Sequence, residues 1–264
     1  MINITLANGI GRIELARPEK KNCFNGDMLA AIDAAIAAWA DDPACRAIVL
    51  CAQGDTFSAG ADLAWMASQA GGGREANIEG AKSLGGVFHR IAKSKKPVVG
   101  RIQGGCRGGG VGLAAAVDIA VASDRASFAL TEVRLGLLPG VISPFVVERV
   151  GPSKARQLFM TGETVNAQEA WRVGLVHHVV PHDDLDAKVE EVLGLLVLGG
   201  PEALLACKRL VDTVAFRQPE DVFETTAGLI ADARASEEAQ QGMMAFLTKQ
   251  PAPWVPVVAK KEGA

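Results

Sequence analysis

Hydrophobic positions along this chain change their period several times. The first residues alternate: Ile2, Ile4 and Leu6, then Asn8-Gly9, then Ile10, Ile13 and Leu15. Apolar runs on either side of Asn-Gly predict a β-hairpin, which Arg17-Pro18 ends. Between residues 26 and 42, Leu29, Ile32, Ile36 and Trp39 fall at helical spacing, with Asn25 placed to cap the helix. Residues 47–51 are apolar without a break, which predicts a strand covered on both faces. Residues 54–60 have the composition of a loop, and residues 68–77 are polar and glycine-rich. A helix should follow, to about residue 91. Val98 and Val99 mark another strand within residues 96–103. A glycine cluster occupies residues 104–112, and a short helix should start inside it and run through residues 113–117. Residues 119–122 and 127–130 read as two more strands.

Beyond Pro144 the pattern becomes helical. Phe145, Val146, Val150, Leu158 and Phe159 have helical spacing, and residues 175–180 form one late strand. From residue 183 the chain reads as helices broken at Gly199-Gly200-Pro201 and at Pro219. Strands alternating with helices, then helices alone, predict an α/β core over residues 1–198 and a helical region over residues 199–264. No repeat period of a solenoid is present.

Composition narrows the function classes. At 264 residues the chain is one large domain, or one domain with an appendage. Lys and Arg number 27 and Asp and Glu 30, a net charge of −3, which argues against a nucleic-acid partner. Tyrosine is absent, so no step can use a tyrosine acid. The five cysteines, Cys23, Cys45, Cys51, Cys106 and Cys207, show no CxxC spacing. They read as reduced, mostly buried thiols, with no metal site. The first residues have neither the basic nor the apolar region of a signal peptide. The longest uncharged run, residues 135–147, is too short to span a membrane and contains Pro139 and Pro144. A soluble cytoplasmic protein is expected.

Two glycine loops carry the candidate chemistry. One runs Phe57-Ser58-Ala59-Gly60-Ala61-Asp62-Leu63, the other from Gly104 through Gly108-Gly109-Gly110 to Leu113. The glycine spacing fits neither a dinucleotide fingerprint nor a P-loop, and Ser58 is not in a nucleophile elbow. Small residues let backbone N–H groups approach a ligand, and the second loop opens a helix, where the dipole favours negative charge. Two such loops converging would make an oxyanion hole.

These loops, with Arg17-Pro18, residues 22–25, FSAGADLAWM at 57–66, GGG at 108–110, Asp118-Ile119, EVRLGLLPG at 132–140 and the tail at 238–254, resemble the enoyl-CoA hydratase/isomerase (crotonase) family over nearly the whole chain. The resemblance implies a spiral of repeated ββα units that binds acyl-CoA thioesters. A helical C-terminal region would build a homotrimer or a dimer of trimers. It implies no cofactor, since coenzyme A is part of the substrate, and no membrane partner. Residue by residue, the oxyanion donors would be the N–H groups of Ala61 and Gly109. Hydratases of this family usually carry two catalytic glutamates. One is present as Glu132; at the position of the other stands Gly112.

That departure leaves three functions open. Glu132 could serve hydration alone. VISPFV at 141–146 and the context of Gly112 look like the branch that hydrates 3-methylglutaconyl-CoA and related carboxylated enoyl-CoAs, as in leucine and acyclic-terpene breakdown. In that branch glycine also replaces the first glutamate. Alternatively, Glu132 could shuttle one proton between carbons, as in enoyl-CoA isomerases. The third function is acyl-CoA binding without turnover. By the same match, Asn22, Cys23, Ala59, Asp62 and Leu63 would follow the pantetheine and adenine. Phe246 and Lys249 would sit at the nucleotide end, from this chain or a neighbouring subunit. Trp65 and Met66 would line the acyl pocket or pack as core, and Gly112 and Gly140 would lie beside the substrate. A carboxylated acyl group would want a cation, with Arg107 and Arg134 as candidates.

Overall fold

The computed structural model describes residues 1–255, the side chains at 69 and 70 excepted. The chain divides into two compact units, Met1–Glu191 and residues 192 onward. In the first unit, strands β1 (Ile2–Ala7) and β2 (Ile10–Leu15) form an antiparallel hairpin. Asn8 and Gly9 at its turn have φ of 53° and 81°, the left-handed pair that a two-residue hairpin turn requires. Helix α1 (Gly26–Trp39) starts where Asn25 accepts a hydrogen bond from the Met28 N–H at 3.1 Å.

A ββα pattern then recurs. Strands β3 (Ala47–Ala52) and β4 (Thr56–Ser58) lead into helices α2 (Leu63–Ala70) and α3 (Gly73–Ala92). Strands β5 (Val98–Ile102) and β6 (Gly105–Arg107) lead into α4 (Gly109–Ala116). Strands β7 (Ile119–Ser123) and β8 (Ser127–Ala129) lead through a 3-10 turn at Glu132–Leu135 into α5 (Ser143–Thr161), broken at Gly151. Strand β9 (Thr164–Asn166), helix α6 (Ala167–Arg172), strand β10 (His178–Val180) and helix α7 (Leu185–Leu198) follow. The first strand of each pair joins a six-stranded sheet, in the order β1-β2-β3-β5-β7-β10. The second joins a four-stranded sheet, β4-β6-β8-β9. The split follows from composition. Every residue of β3 is buried, as an unbroken apolar run demands.

Several elements differ from the sequence expectation. β4 and β6 lie inside segments that read as loops, and β9 and α6 are additional. Strands of three residues are too short to show an alternation. The end of α2 and the first turn of α3 fall in the stretch at 68–77 that reads as polar and glycine-rich. The division between the units falls inside α7, whereas the glycine pair at 199–200 suggests a boundary after residue 198. Cys207 is exposed and Cys23 half-buried, while the other three thiols are buried.

In the second unit, α8 (Pro201–Val214), α9 (Pro219–Ala235) and α10 (Glu237–Leu247) follow in order. The Glu238 carboxylate accepts hydrogen bonds from the N–H groups of Glu202 and Ala203 at 3.0 and 2.9 Å. It thereby satisfies the open N-terminus of α8 and complements its dipole. No helix among the described residues is long and apolar enough to cross a membrane.

One buried side chain ties the first loop to its surroundings. Asn22 is fully buried, and its Nδ2 donates to the carbonyls of Gln53 and Thr56, both at 2.7 Å. Its Oδ1 accepts from the Arg17 N–H at 2.9 Å, and its carbonyl accepts from Ser58 Oγ, also at 2.9 Å. Asn22→Ala strands the Gln53 carbonyl and the Arg17 N–H, at about 1–3 kcal/mol each where water cannot replace the partner, and leaves the Thr56 carbonyl with Gln103 Nε2 at 3.2 Å. Urea denaturation should show a loss of at least ~2 kcal/mol.

Candidate active site

The site begins with strand pairing. β4 runs parallel to β6, and β6 parallel to β8. Their carboxyl ends therefore emerge at one edge, the position where parallel sheets expose ligand-binding loops. Residues 59–62 leave β4, Gly108 leaves β6, and Leu130, Thr131 and Glu132 leave β8. Three separate stretches of sequence thus arrive at one place.

The first loop holds an N–H group open. Phe24 donates its N–H to the Gly60 carbonyl at 2.9 Å and accepts from the Asp62 N–H at 2.8 Å. These two bonds make Phe24 and Ala61 a parallel bridge. In such a bridge the central residue's own N–H faces away from its partner strand, so that of Ala61 is turned outward. Ser58 Oγ accepts from the Gly60 N–H at 3.1 Å and steadies the turn. In the second loop, Gly109 is the first residue of α4, where N–H groups have no intrahelical acceptor. Among the described residues neither the Ala61 nor the Gly109 N–H finds a loop or turn carbonyl.

Two glycines let the loops meet. Gly60 has φ of 87°, and a Cβ there would lie 2.7 Å from the Arg107 carbonyl oxygen and 3.0 Å from the Gly109 nitrogen. Gly108 has φ of 48°, and a Cβ there would lie 3.1 Å from Glu132 Oε1. The two glycine loops and the carboxylate are therefore in close contact through backbone that carries no side chain.

A cavity of about 280 Å³ opens between them, with Ala61, Gly109 and Glu132 in its wall and Phe24, Phe88 and Ile142 as apolar lining. Among its described lining residues Glu132 is the one ionisable group. Its Oε2 is buried without a hydrogen-bond partner. Burial pushes its carboxyl above the usual range, offset in part by its own backbone N–H. Asp62, one loop away, is shifted the opposite way. The N–H of Trp65 above all, then that of Ala64 and the Arg17 guanidinium, hold it below the usual range.

The sequence-derived residues fall into separate groups. Ala59, Ala61, Leu63, Met66, Gly109, Glu132 and Gly140 all line this cavity. Asn22, Cys23 and Asp62 do not. Asn22 is the buried tie described above, Asp62 caps α2, and Cys23 Sγ lies 3.6 Å from Asp62 Oδ2. Trp65 lines a second cavity instead, beside Gly26. Phe246 and Lys249 are exposed at the end of α10 in the second unit. Arg107 donates to the carbonyls of Cys106 and Ser127 and to Ser127 Oγ, and Arg134 is exposed; neither lines the cavity. Beyond Leu63 and Met66, the apolar lining carries no motif: Leu84 and Phe88 have the spacing of any buried helix face.

Gly112 is buried and is not among the described residues that line the cavity. A Cβ there would lie 2.3 Å from Ile142 Cγ2 and 3.1 Å from Phe88 Cε1. Ile142 thus fills the space that a side chain at 112 would need.

Comparison with known proteins agrees with this geometry. The family model "Enoyl-CoA hydratase/isomerase" matches residues 5–256. A crotonyl-CoA hydratase of Syntrophomonas wolfei is 35% identical over 246 residues, spanning 90% of this chain and 92% of that protein. A short-chain-enoyl-CoA hydratase of Clostridium acetobutylicum is 31% identical over 244 residues, 90% of this chain and 91% of that protein. The crystal structure of an enoyl-CoA hydratase from Shewanella pealeana superposes with a TM-score of 0.92 at 35% identity, covering 96% of this chain and 95% of the other. The chain belongs to the enoyl-CoA hydratase/isomerase family of enzymes and has the crotonase fold.

Two outcomes follow for the site. The raised Glu132 carboxyl contributes stability that is present below its ordinary pKa and lost as pH rises through its folded value. Glu132→Gln should therefore melt at a higher temperature than the parent at about pH 8, and the gap should close towards about pH 4. Gly112→Glu should lower the melting temperature, since overpacking typically costs about 1–3 kcal/mol before the charge is counted. Adding Ile142→Ala should recover part of that loss.

Proposed function

We propose that this enzyme adds water to a short, apolar 2-enoyl-CoA thioester, with Glu132 as its single catalytic carboxylate. The observation that carries the proposal is an unpartnered, partly desolvated carboxylate beside two outward N–H groups. The N–H groups of Ala61 and Gly109 would hold the thioester oxygen as it gains negative charge, a contribution of about 2.7–4 kcal/mol per donor. Glu132 would take a proton from water as the water oxygen bonds to C3. It would then return that proton to C2, so the product gains one water and the carboxylate is regenerated. Activity should fall on the acid side as Glu132 becomes protonated, at a pH above the ordinary glutamate range.

The apolar lining favours a hydrocarbon acyl group over a carboxylated one. No cation lines the cavity among the described residues, and an unpaired carboxylate there would be costly. At about 280 Å³ the cavity is at the small end of ligand pockets, suited to the acyl group and thioester. The names of the relatives from Syntrophomonas wolfei and Clostridium acetobutylicum point the same way. Isomerisation is the second reading, because among the described residues no other carboxylate lines the cavity to help hold water. A homotrimer or dimer of trimers fits the second unit, where Phe216 and Phe246 are 97% and 84% exposed.

A mass-resolved assay separates these readings. Crotonyl-CoA, 3-methylglutaconyl-CoA and a 3-enoyl-CoA are supplied in parallel to the parent enzyme and to Glu132→Gln. The expected result is a water adduct, fastest from crotonyl-CoA and slowed about a hundred to ten-thousandfold in the variant. Double-bond migration at unchanged mass would favour the isomerase. Preference for 3-methylglutaconyl-CoA would overturn the apolar substrate.

A further inference from the structure

Thr131 stands immediately before Glu132, where the chain has left β8 and enters the 3-10 turn at Glu132–Leu135. The backbone of both residues is pinned. The Thr131 carbonyl accepts from the Arg134 N–H, and the Glu132 carbonyl from the Leu137 N–H, each at 3.0 Å. A threonine at the start of a helical turn ordinarily caps it, its hydroxyl accepting from an N–H two or three residues on. Thr131 makes no such bond, and it lines the Glu132 cavity, half-buried. Among the described lining residues, Thr131 and Glu132 are the two whose side chains carry an oxygen or nitrogen atom. Helix α4 adds none, since its residues are all glycine, alanine, valine or leucine.

We propose that Thr131 is a catalytic residue, which holds the attacking water together with Glu132. The proposal rests on the hydratase reading above and supplies a second hydrogen-bonding partner for its water. A water bound to one carboxylate alone can still turn about that bond, so its lone pair faces C3 only part of the time. A threonine hydroxyl offers acceptor lone pairs on a side chain stiffened at χ1 by its β-branch, so it fixes the second O–H of the water. In the step, the water donates one O–H to Glu132 and the other to Thr131 Oγ1. Its oxygen bonds to C3, the C2=C3 π electrons move towards the thioester oxygen, and the first proton passes to Glu132. The second proton stays on the product hydroxyl, Glu132 returns the first to C2, and Thr131 ends unchanged. Orientation of this kind lowers the barrier without adding an acid or a base. It lets one carboxylate serve where Gly112 brings no second one.

Three variants test this. Thr131→Val keeps the shape of the side chain and removes the hydroxyl, Thr131→Ala removes it without leaving a methyl group beside Glu132, and Thr131→Ser retains it. Hydration of crotonyl-CoA is followed with each, and kcat is read on the plateau of each pH profile, where Glu132 is ionised. The expected result is a kcat lowered at least about tenfold in Thr131→Val and Thr131→Ala with KM within about threefold of the parent, and a kcat within about threefold of the parent in Thr131→Ser. Thr131→Ala decides the matter where Thr131→Val does not fold. A kcat close to that of the parent without the hydroxyl overturns the proposal. An equal loss in Thr131→Ser, or a KM that rises as kcat falls, also overturns it, because either marks a packing role. No water adduct from the parent enzyme overturns the hydratase reading and this proposal with it. An adduct formed equally fast without the hydroxyl overturns this proposal alone.

Discussion

The parallel pairing of three very short strands is the constraint on which the site depends. β4, β6 and β8 have three residues each, and pairing through β6 brings their carboxyl ends to one edge. The order of the chain then places a different group at each exit. Ala61 follows β4, Gly109 follows β6 and Glu132 follows β8. Two backbone donors and a carboxylate meet without any of them being near another in sequence. Pairs this short are weak alone. They persist because the longer strands β3, β5 and β7, mostly buried in the six-stranded sheet, deliver each short strand in turn. Asn22 reinforces the arrangement by joining the backbone at Arg17, Gln53 and Thr56.

Two carboxylates in neighbouring loops show how environment divides roles. Asp62 receives N–H bonds at the start of α2 and the Arg17 guanidinium, so its negative charge is satisfied and it serves the fold. Glu132 faces an apolar cavity with one oxygen unpartnered, so its charge is costly and its proton affinity high. A carboxylate in that condition is suited to accepting and returning a proton. The same apolar wall that tunes Glu132 also excludes a second carboxylate, since Ile142 packs over Gly112.

What the sequence made legible followed local physics. The Asn8-Gly9 turn, the Asn25 cap and the buried run in β3 each announce themselves through turn, capping or burial chemistry, and each is present. β4 and β6 were not legible, because they lie in segments with the composition of loops and their pairing is set by partners distant in the chain; β9 was missed beside them. For the site, the motifs singled out Ala61, Gly109 and Glu132, and the structure brings these three to one cavity. They also drew in Asn22, Asp62 and Gly112, whose surroundings are those of the scaffold. Of the cavity wall, the motifs reach Ala59, Leu63, Met66 and Gly140 but not the residues from outside them. Leu84, Phe88 and Ile142 have the signature of ordinary core until the fold leaves an empty space beside them.

The central claim is that the N–H groups of Ala61 and Gly109 act together on the thioester oxygen. Side-chain deletion cannot remove either donor, so the substrate must report on them. The most direct measurement is the infrared stretch of a ¹³C-labelled thioester carbonyl of crotonyl-CoA bound to Glu132→Gln, which slows turnover and leaves both donors in place. The account predicts a clear shift to lower frequency on binding, as two hydrogen bonds polarise the carbonyl. A bound carbonyl with the frequency of the free thioester in water, or a higher one, would contradict it.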